Sequence, residues 1–402
     1  MLEMKCQDVK IHPCSKTEKA SMLVVGGSRM GKTYFASLYG QYLIHAGESV
    51  HLIDLDSNWI SDDRERIGIQ QVKKVGSGKG IVLCFPDGKA LYCCGKVMLD
   101  ALKIRSEKVL LEVNGALKRL LERSQEFSVQ EILQEMKESK EGQVYSEILS
   151  DSLDSPNAIS EMIHLKIDGP EAENMADTPT IWDFSGIGGG SAMVMAQMVL
   201  HALYSVQRSR FQRKKMHKKV YAIIDEFQNL GVENTLISKC LTEGQKSGIY
   251  LILLTQFLQG KFESEAINEL KQGGFKIYFR LTEEEAGRVS RQLVQDVNQQ
   301  QYLKHKLCSL ERGECLFIGP HRVEGRKEIS EKMRFVKISN YGNMVSHKPL
   351  IITSSKPKNN KLVVGNNHAN VNSKRRRLST SRPVLIKPTK GGTPHDPNPS
   401  GR

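Results

Sequence analysis

The sequence predicts an α/β fold, and three observations carry that expectation. An apolar, β-prone run, Met22-Leu23-Val24-Val25, passes directly into Gly26-x4-Gly31-Lys32-Thr33 and then into a helical pattern. Two later apolar runs, residues 220–224 and 249–254, have the composition of buried strands and end in polar pairs, Asp225-Glu226 and Thr255-Gln256. Stretches with helical spacing separate the strand signals, the longest covering about residues 191–215.

The glycine-rich stretch has the spacing of a P-loop. Backbone N–H groups along Gly26, Gly27, Ser28, Arg29, Met30 and Gly31 would wrap a triphosphate, and a Cβ at Gly26 or Gly31 would hold that backbone away. Lys32 then reaches the β and γ oxygens of ATP, Thr33 offers a hydroxyl to Mg²⁺, and the dipole of the helix starting there favours the negative charge. Four fixed positions arise by chance in roughly one chain of this length in fifty, so context matters. Phe35, Leu38, Tyr39, Tyr42 and Leu43 repeat at helical spacing, and Gly47 stands where that helix would stop.

At 402 residues the chain accommodates one large α/β domain with an accessory piece, or two ordinary domains. It has no run of 18 apolar residues and no signal-peptide core near its start, which predicts a soluble, cytoplasmic protein. Eight cysteines form no CxxC pair and no zinc-type spacing, as expected of reduced thiols. The net charge is +13, but residues 346–402 carry seven Lys and five Arg against one Asp, or +11, leaving +2 for the rest. That tail is too poor in apolar residues to fold alone and is expected to be disordered. Its cluster Lys374-Arg375-Arg376-Arg377 reads as a basic arm on nucleic acid, with a nuclear address as the other reading.

Residues 1–20 are short and polar, so no folded element is expected before the P-loop strand. The run VHLIDLDSNW places Asp54 and Asp56 at the end of a second strand, either near the ligand edge of an open α/β sheet or as loop caps. IVLCFPDGKALYCCG suggests a hairpin turning at Asp87-Gly88. It is followed by leucine-spaced helical signals, with a capping box of Ser128 and Glu131. Residues 76–175 therefore read as a mainly helical insertion between core segments 1–75 and 176–345. In PTIWDFSGIGGG, Asp183 lies inside an apolar run and calls for a hydrogen-bond partner. The basic run RSRFQRKKMHKK is either an ordinary helix end or a surface that meets phosphate.

KVYAIIDEFQNLG supplies the partner segment of a P-loop. There Asp225 would hold Mg²⁺ with Thr33, and Glu226 would orient and deprotonate the attacking water. Gln256 is either a sensor of the γ-phosphate or the first residue of a loop. In FRLTEEEAGRVSRQL, Thr282 caps a helix with Glu283, Glu284 and Glu285 in its first turn, and GECLFIG reads as a last strand.

The order GGSRMGKT, LIDLDSNW, helical insertion, PTIWDFSGI, IIDEFQNLG, EGQKSGIYLILLTQFLQG, FKIYFRLTEEEAGRVSRQL and GECLFIG resembles the HerA/FtsK superfamily of P-loop ATPases. Within it, the likeness is to HerA-like and conjugative coupling or transfer (type IV secretion) ATPases, over most of residues 20–320. The resemblance implies a RecA-like core with a central, mostly parallel sheet, and ATP held between subunits of a homo-oligomeric ring, a hexamer. It also implies Gln256 as the strand-end sensor and an arginine acting on the neighbouring subunit's phosphates, best matched by Arg280, with Arg288 and Arg291 as alternates. Family members often carry an arginine where this chain has Gln245, and the chain shows neither the N-terminal barrel of HerA nor membrane helices, so docking at a membrane secretion channel would need a partner. The expectation is an ATP-driven DNA translocase of a conjugation or mobile-element system. The alternatives are a protein-secretion or assembly motor and a viral or phage packaging motor.

Overall fold

The structure, a computed structural model, describes residues 4–6, 9–13, 20–55, 59, 61–74, 81–153, 163–187, 189–215, 218–230, 235–257, 274–323 and 329–338. All of them belong to one compact unit, Met1–Thr353. Asp56 and the tail, with Lys374, Arg375, Arg376 and Arg377, lie outside the described residues.

The strands are β1 (Met4–Cys6), β2 (Val9–Pro13), β3 (Met22–Val25), β4 (Ser49–Asp54), β5 (Gln71–Lys74), β6 (Ile81–Phe85), β7 (Glu126–Ser128) and β8 (Ile163–Ile167). They continue with β9 (Thr180–Asp183), β10 (Val220–Ile224), β11 (Ile249–Thr255), β12 (Phe275–Tyr278), β13 (Glu314–Ile318), β14 (His321–Val323), β15 (Ile329–Ser330) and β16 (Arg334–Ile338). The main sheet runs β15-β14-β2-β1-β16-β13-β12-β3-β11-β10-β4-β9-β5. From β12 to β5 every pairing is parallel, and from β12 to β15 every pairing is antiparallel.

The strands of the parallel block are near-continuous apolar runs because both faces of the sheet are covered. Side-chain alternation divides them between two cores. Met22 and Val24 join Val50, Leu52, Tyr221, Ile223 and the P-loop helix Lys32–His45 on one face. Leu23 and Val25 join Ile53, Ala222, Ile224 and the long helix Gly189–Gln212 on the other.

Residues 81–153 and 163–177 fold against that second face. They contain the helices the leucine spacing predicts and also a small sheet, β6-β8-β7, which the sequence reading did not anticipate. β6 pairs in parallel with β8, far along the chain, and the long helix packs on both β6 and the helix Cys94–Ala101. The expected hairpin at Asp87-Gly88 is not formed. Asp87 instead caps the helix Gly88–Tyr92, accepting a hydrogen bond from Ala90 N at 2.8 Å, because a turn residue with a short carboxylate serves a helix start as well as a hairpin. The capping box at Ser128 and Glu131 and the cap at Thr282 are formed as predicted.

The expectation that nothing folded precedes the P-loop strand is also corrected. β1 pairs with β16 and β2 with β14, so both ends of this unit are woven into one antiparallel annex. Strands this short have no readable periodicity of their own; their signal is a partner more than 300 residues away in register, Met4 against Ile338. For the same reason GECLFIG is not the last strand, since β14, β15 and β16 follow it.

Candidate active site

Parallel pairing fixes the site. β11 lies between β3 and β10, with Val25 beside Thr255 and Ile224 beside Leu253, so the P-loop, Gln256 and the Asp225-Glu226 pair leave the sheet at the same edge. This is the carboxyl edge, where open α/β sheets present ligand-binding loops.

The loop itself is held from two sides. Gly26 N donates to Thr255 O at 3.2 Å, Gly27 N donates to Arg280 O at 3.0 Å, and Gly313 N donates to Met30 O at 3.1 Å. Gly26 has φ +158°, and a Cβ there would lie 2.5 Å from Phe279 Cβ, so its glycine is required by the neighbouring strand end. Gly31 (φ +114°) precedes the helix in a left-handed conformation. Ser28 and Arg29 are exposed, while Met30 and Thr33 are half-buried. The Lys32 side chain is buried and its Nζ donates to Gly26 O at 2.9 Å and to Gly27 O at 3.3 Å. Burial lowers the Lys32 ammonium below its usual range, and the nearby charges of Glu226 and Asp225 pull it back up.

Asp225 and Glu226 are both buried. Burial, reinforced by Glu226, raises the Asp225 carboxyl to about 7, with Lys32 acting in the opposite direction. A buried carboxylate under this strain is one that a bound cation would relieve, which is the observation in favour of a magnesium site at Thr33 and Asp225. Glu226 adopts the left-handed region at φ +48°, a conformation that costs a non-glycine residue of order 1–3 kcal/mol and persists only where surroundings enforce it. Here Glu226 N donates to Asp225 Oδ1 at 2.9 Å, Asn229 N donates to Glu226 O at 2.9 Å, and the Glu226 carboxylate accepts from Gln256 Nε2 and from Gln228 Nε2.

Two further acids stand at the same edge. Asp54 ends β4 and Asp183 ends β9, the next strands after β10. Arg64 Nη2 joins them, 2.9 Å from Asp54 Oδ2 and 3.0 Å from Asp183 Oδ2. Asp183 also accepts from Ser185 N and Oγ, which supplies the partners its apolar setting demands. The carboxylate row is therefore neutralised on one side by Arg64 and faces Lys32 on the other.

The candidate trans arginines are placed as follows. Arg280 is exposed at the end of β12 with its carbonyl bonded to the P-loop of its own chain. Arg288 pairs with Glu284 at 2.6 Å, and Arg291 is exposed on the same helix. In the basic run, Arg210 is buried and bidentate to Asp177, both contacts at 2.8 Å, and Arg213 pairs with Glu173 at 2.9 Å. Those two cations tie the long helix to the helix Gly169–Asp177.

Sequence reasoning missed Gln228 and Arg64. The signal for Gln228 was an amide two residues after Glu226, in a segment too short to show a pattern. Arg64 lies on a helix, Ser61–Ile67, whose charge run reads as a solvated face.

No protein-family model matches the chain and no curated protein sequence matches it. Solved structures do match. VirB4 of Thermoanaerobacter pseudethanolicus superposes with a TM-score of 0.57 at 14% identity, covering 79% of this chain and 88% of that one. The bacterial conjugative coupling protein TrwB, as its ΔN70 form, gives 0.55 at 11% identity, covering 81% and 87%. TrwB in complex with ADP and Mg²⁺ gives 0.53 at 10% identity, covering 74% and 82%. The fold is thus that of a RecA-like P-loop NTPase. It is the fold shared with VirB4 and TrwB, and the one the order of motifs implies.

Proposed function

We propose that the chain is an ATP-hydrolysing motor that works as a homo-oligomeric ring and moves DNA, in a conjugation or mobile-element transfer system. The observation that carries this reading is the convergence of Lys32, Asp225, Glu226 and Gln256 at one sheet edge. The Gly26 and Gly27 amides are engaged within the chain, so the phosphate cradle falls to the amides of residues 28–33. Lys32 leaves the Gly26 and Gly27 carbonyls for the β and γ oxygens, exchanging two neutral acceptors for charged ones. Thr33 and Asp225 would hold magnesium, which offsets phosphate charge when bound.

Glu226 takes a proton from water as the water oxygen bonds to the γ-phosphorus and the bond to the β-bridging oxygen breaks, giving ADP and phosphate. Gln256, hydrogen-bonded to Glu226, links the tip of β11 to that step. An arginine from the neighbouring subunit would add charge that one chain lacks, and Arg280 or the exposed Arg291 suits this role better than Arg288, which has an acid partner. TrwB, with the same fold, has been solved with ADP and Mg²⁺ and with an ATP analogue, which supports a nucleotide at this edge.

DNA as the moving polymer is favoured by the basic tail and by likeness to a conjugative coupling protein. No helix among the described residues is long and apolar enough to cross a membrane. The test is the ATPase rate with and without DNA, on the full chain and on one ending near Val345. Stimulation that survives truncation places the DNA contact in the ring, and stimulation that disappears assigns it to the tail. A rate indifferent to DNA in both would reject the DNA reading in favour of a protein substrate.

A further inference from the structure

The Glu226 carboxylate is held by two amides from different elements. Gln256 comes from the tip of β11, and Gln228 from the 3₁₀ turn Phe227–Leu230 that follows the acidic pair. The turn is a rigid support: Phe227 and Leu230 are buried in the core, and the Leu230 carbonyl accepts from the buried Gln197 Nε2 at 3.1 Å. Gln228 therefore stands on a fixed base and presents its amide to a carboxylate whose own backbone is in an unfavourable region.

The other end of that amide is the informative one. Gln228 Oε1 is shut off from solvent and has no hydrogen-bond partner among the described residues. An acceptor left unsatisfied in the interior opposes folding and offsets much of what the Nε2 bond to Glu226 contributes, so an apolar side chain of the same length costs little stability. The amide is there for what Nε2 does to Glu226. Because an ionised carboxylate only accepts, the Nε2 end must be the one that faces it, and the orphaned oxygen follows from that orientation.

We propose that Gln228 is a positioning residue for the reaction: it fixes the Glu226 carboxylate in the direction from which it takes the proton of the attacking water. This rests on the reading of Glu226 as the general base. Gln256 holds one carboxylate oxygen and Gln228 the other, so removal of Gln228 lets the group swing about the remaining bond. Nucleotide affinity, which belongs to the P-loop and Lys32, is independent of that motion.

The test compares the wild type with Gln228→Met, Gln228→His and Glu226→Gln in three measurements on the full chain: steady-state ATP turnover, equilibrium binding of a fluorescent ATP analogue, and thermal melting. Methionine keeps the length and removes both polar functions. Q228M is expected to lower kcat about 10- to 100-fold, the cost of a misplaced catalytic group, while analogue affinity stays within about twofold and the melting temperature is unchanged or higher. Histidine offers one donor and one acceptor, and Q228H is expected to restore most of the turnover. A structural role for Gln228 would instead make melting temperature and turnover fall together in Q228M, and failure of Q228M to fold would be the extreme of that result. Either outcome overturns the proposal, as does a kcat equal to wild type. Should E226Q keep wild-type turnover, the assignment of the base itself is wrong. If E226Q is inactive while Q228M turns over normally, only the role of Gln228 falls.

Discussion

His51 shows how a residue outside the site carries a measurable consequence of the fold. It is fully buried on β4, opposite β9, where its Nε2 donates to Ala176 O at 3.1 Å and its Nδ1 accepts from Trp182 Nε1 at 3.3 Å. Burial lowers its imidazolium from 6.5 to about 4, so the folded chain holds the ring neutral while the unfolded chain protonates it. The stabilisation is complete above pH 6.5 and is lost as pH falls toward 4, by roughly 3 kcal/mol in full. Melting followed across that window should show the loss, and His51→Gln should flatten it. The P-loop residues and the Asp225-Glu226 pair were legible in the sequence because phosphate chemistry demands fixed residue types at fixed spacing. Gln228 was not, because the segment that carries it is too short to show a pattern, and Arg64 was not, because its two partners meet only where β4 pairs with β9, which no local pattern records.

At the scale of elements, long strands that end at the site announced themselves as continuous apolar runs, and helices by their spacing and caps. The Ser128 capping box is a local device that reads directly from sequence. Ser128→Ala removes a bond from Glu131 N, and the expected loss is about 1 kcal/mol in denaturant unfolding with nucleotide affinity unaffected. What stayed hidden was pairing at a distance. β1 and β2 are only three and five residues long, too short to show a period, and only β14 and β16 give them a reason to be extended. Asp87 illustrates a different failure, since its preference for a turn was correct and the element it starts was not. A chain beginning at Ser15 would leave the edges of β14 and β16 unpaired, and light scattering should then show self-association that the full chain does not have.

For the whole molecule, Lys32, Asp225, Glu226 and Gln256 meet at one sheet edge, and the hydrolysis proposed there calls for a further cation opposite the leaving phosphate. If a neighbouring chain supplies it, specific ATPase activity should rise with protein concentration in step with oligomer mass, by as much as ~10³- to 10⁵-fold between monomer and ring. Full activity in dilute, monomeric protein would remove the trans arginine from the account. The claim beneath all of this is that magnesium-bound ATP is held between the P-loop and the acidic pair and is broken down there. Calorimetric binding of ATP with Mg²⁺, paired with turnover, on wild type, Lys32→Ala and Glu226→Gln tests it directly. The account predicts that K32A loses roughly 10- to 100-fold in affinity, while E226Q binds as the wild type does but loses at least about 10²-fold in turnover. Wild-type affinity in K32A together with wild-type turnover in E226Q would contradict it.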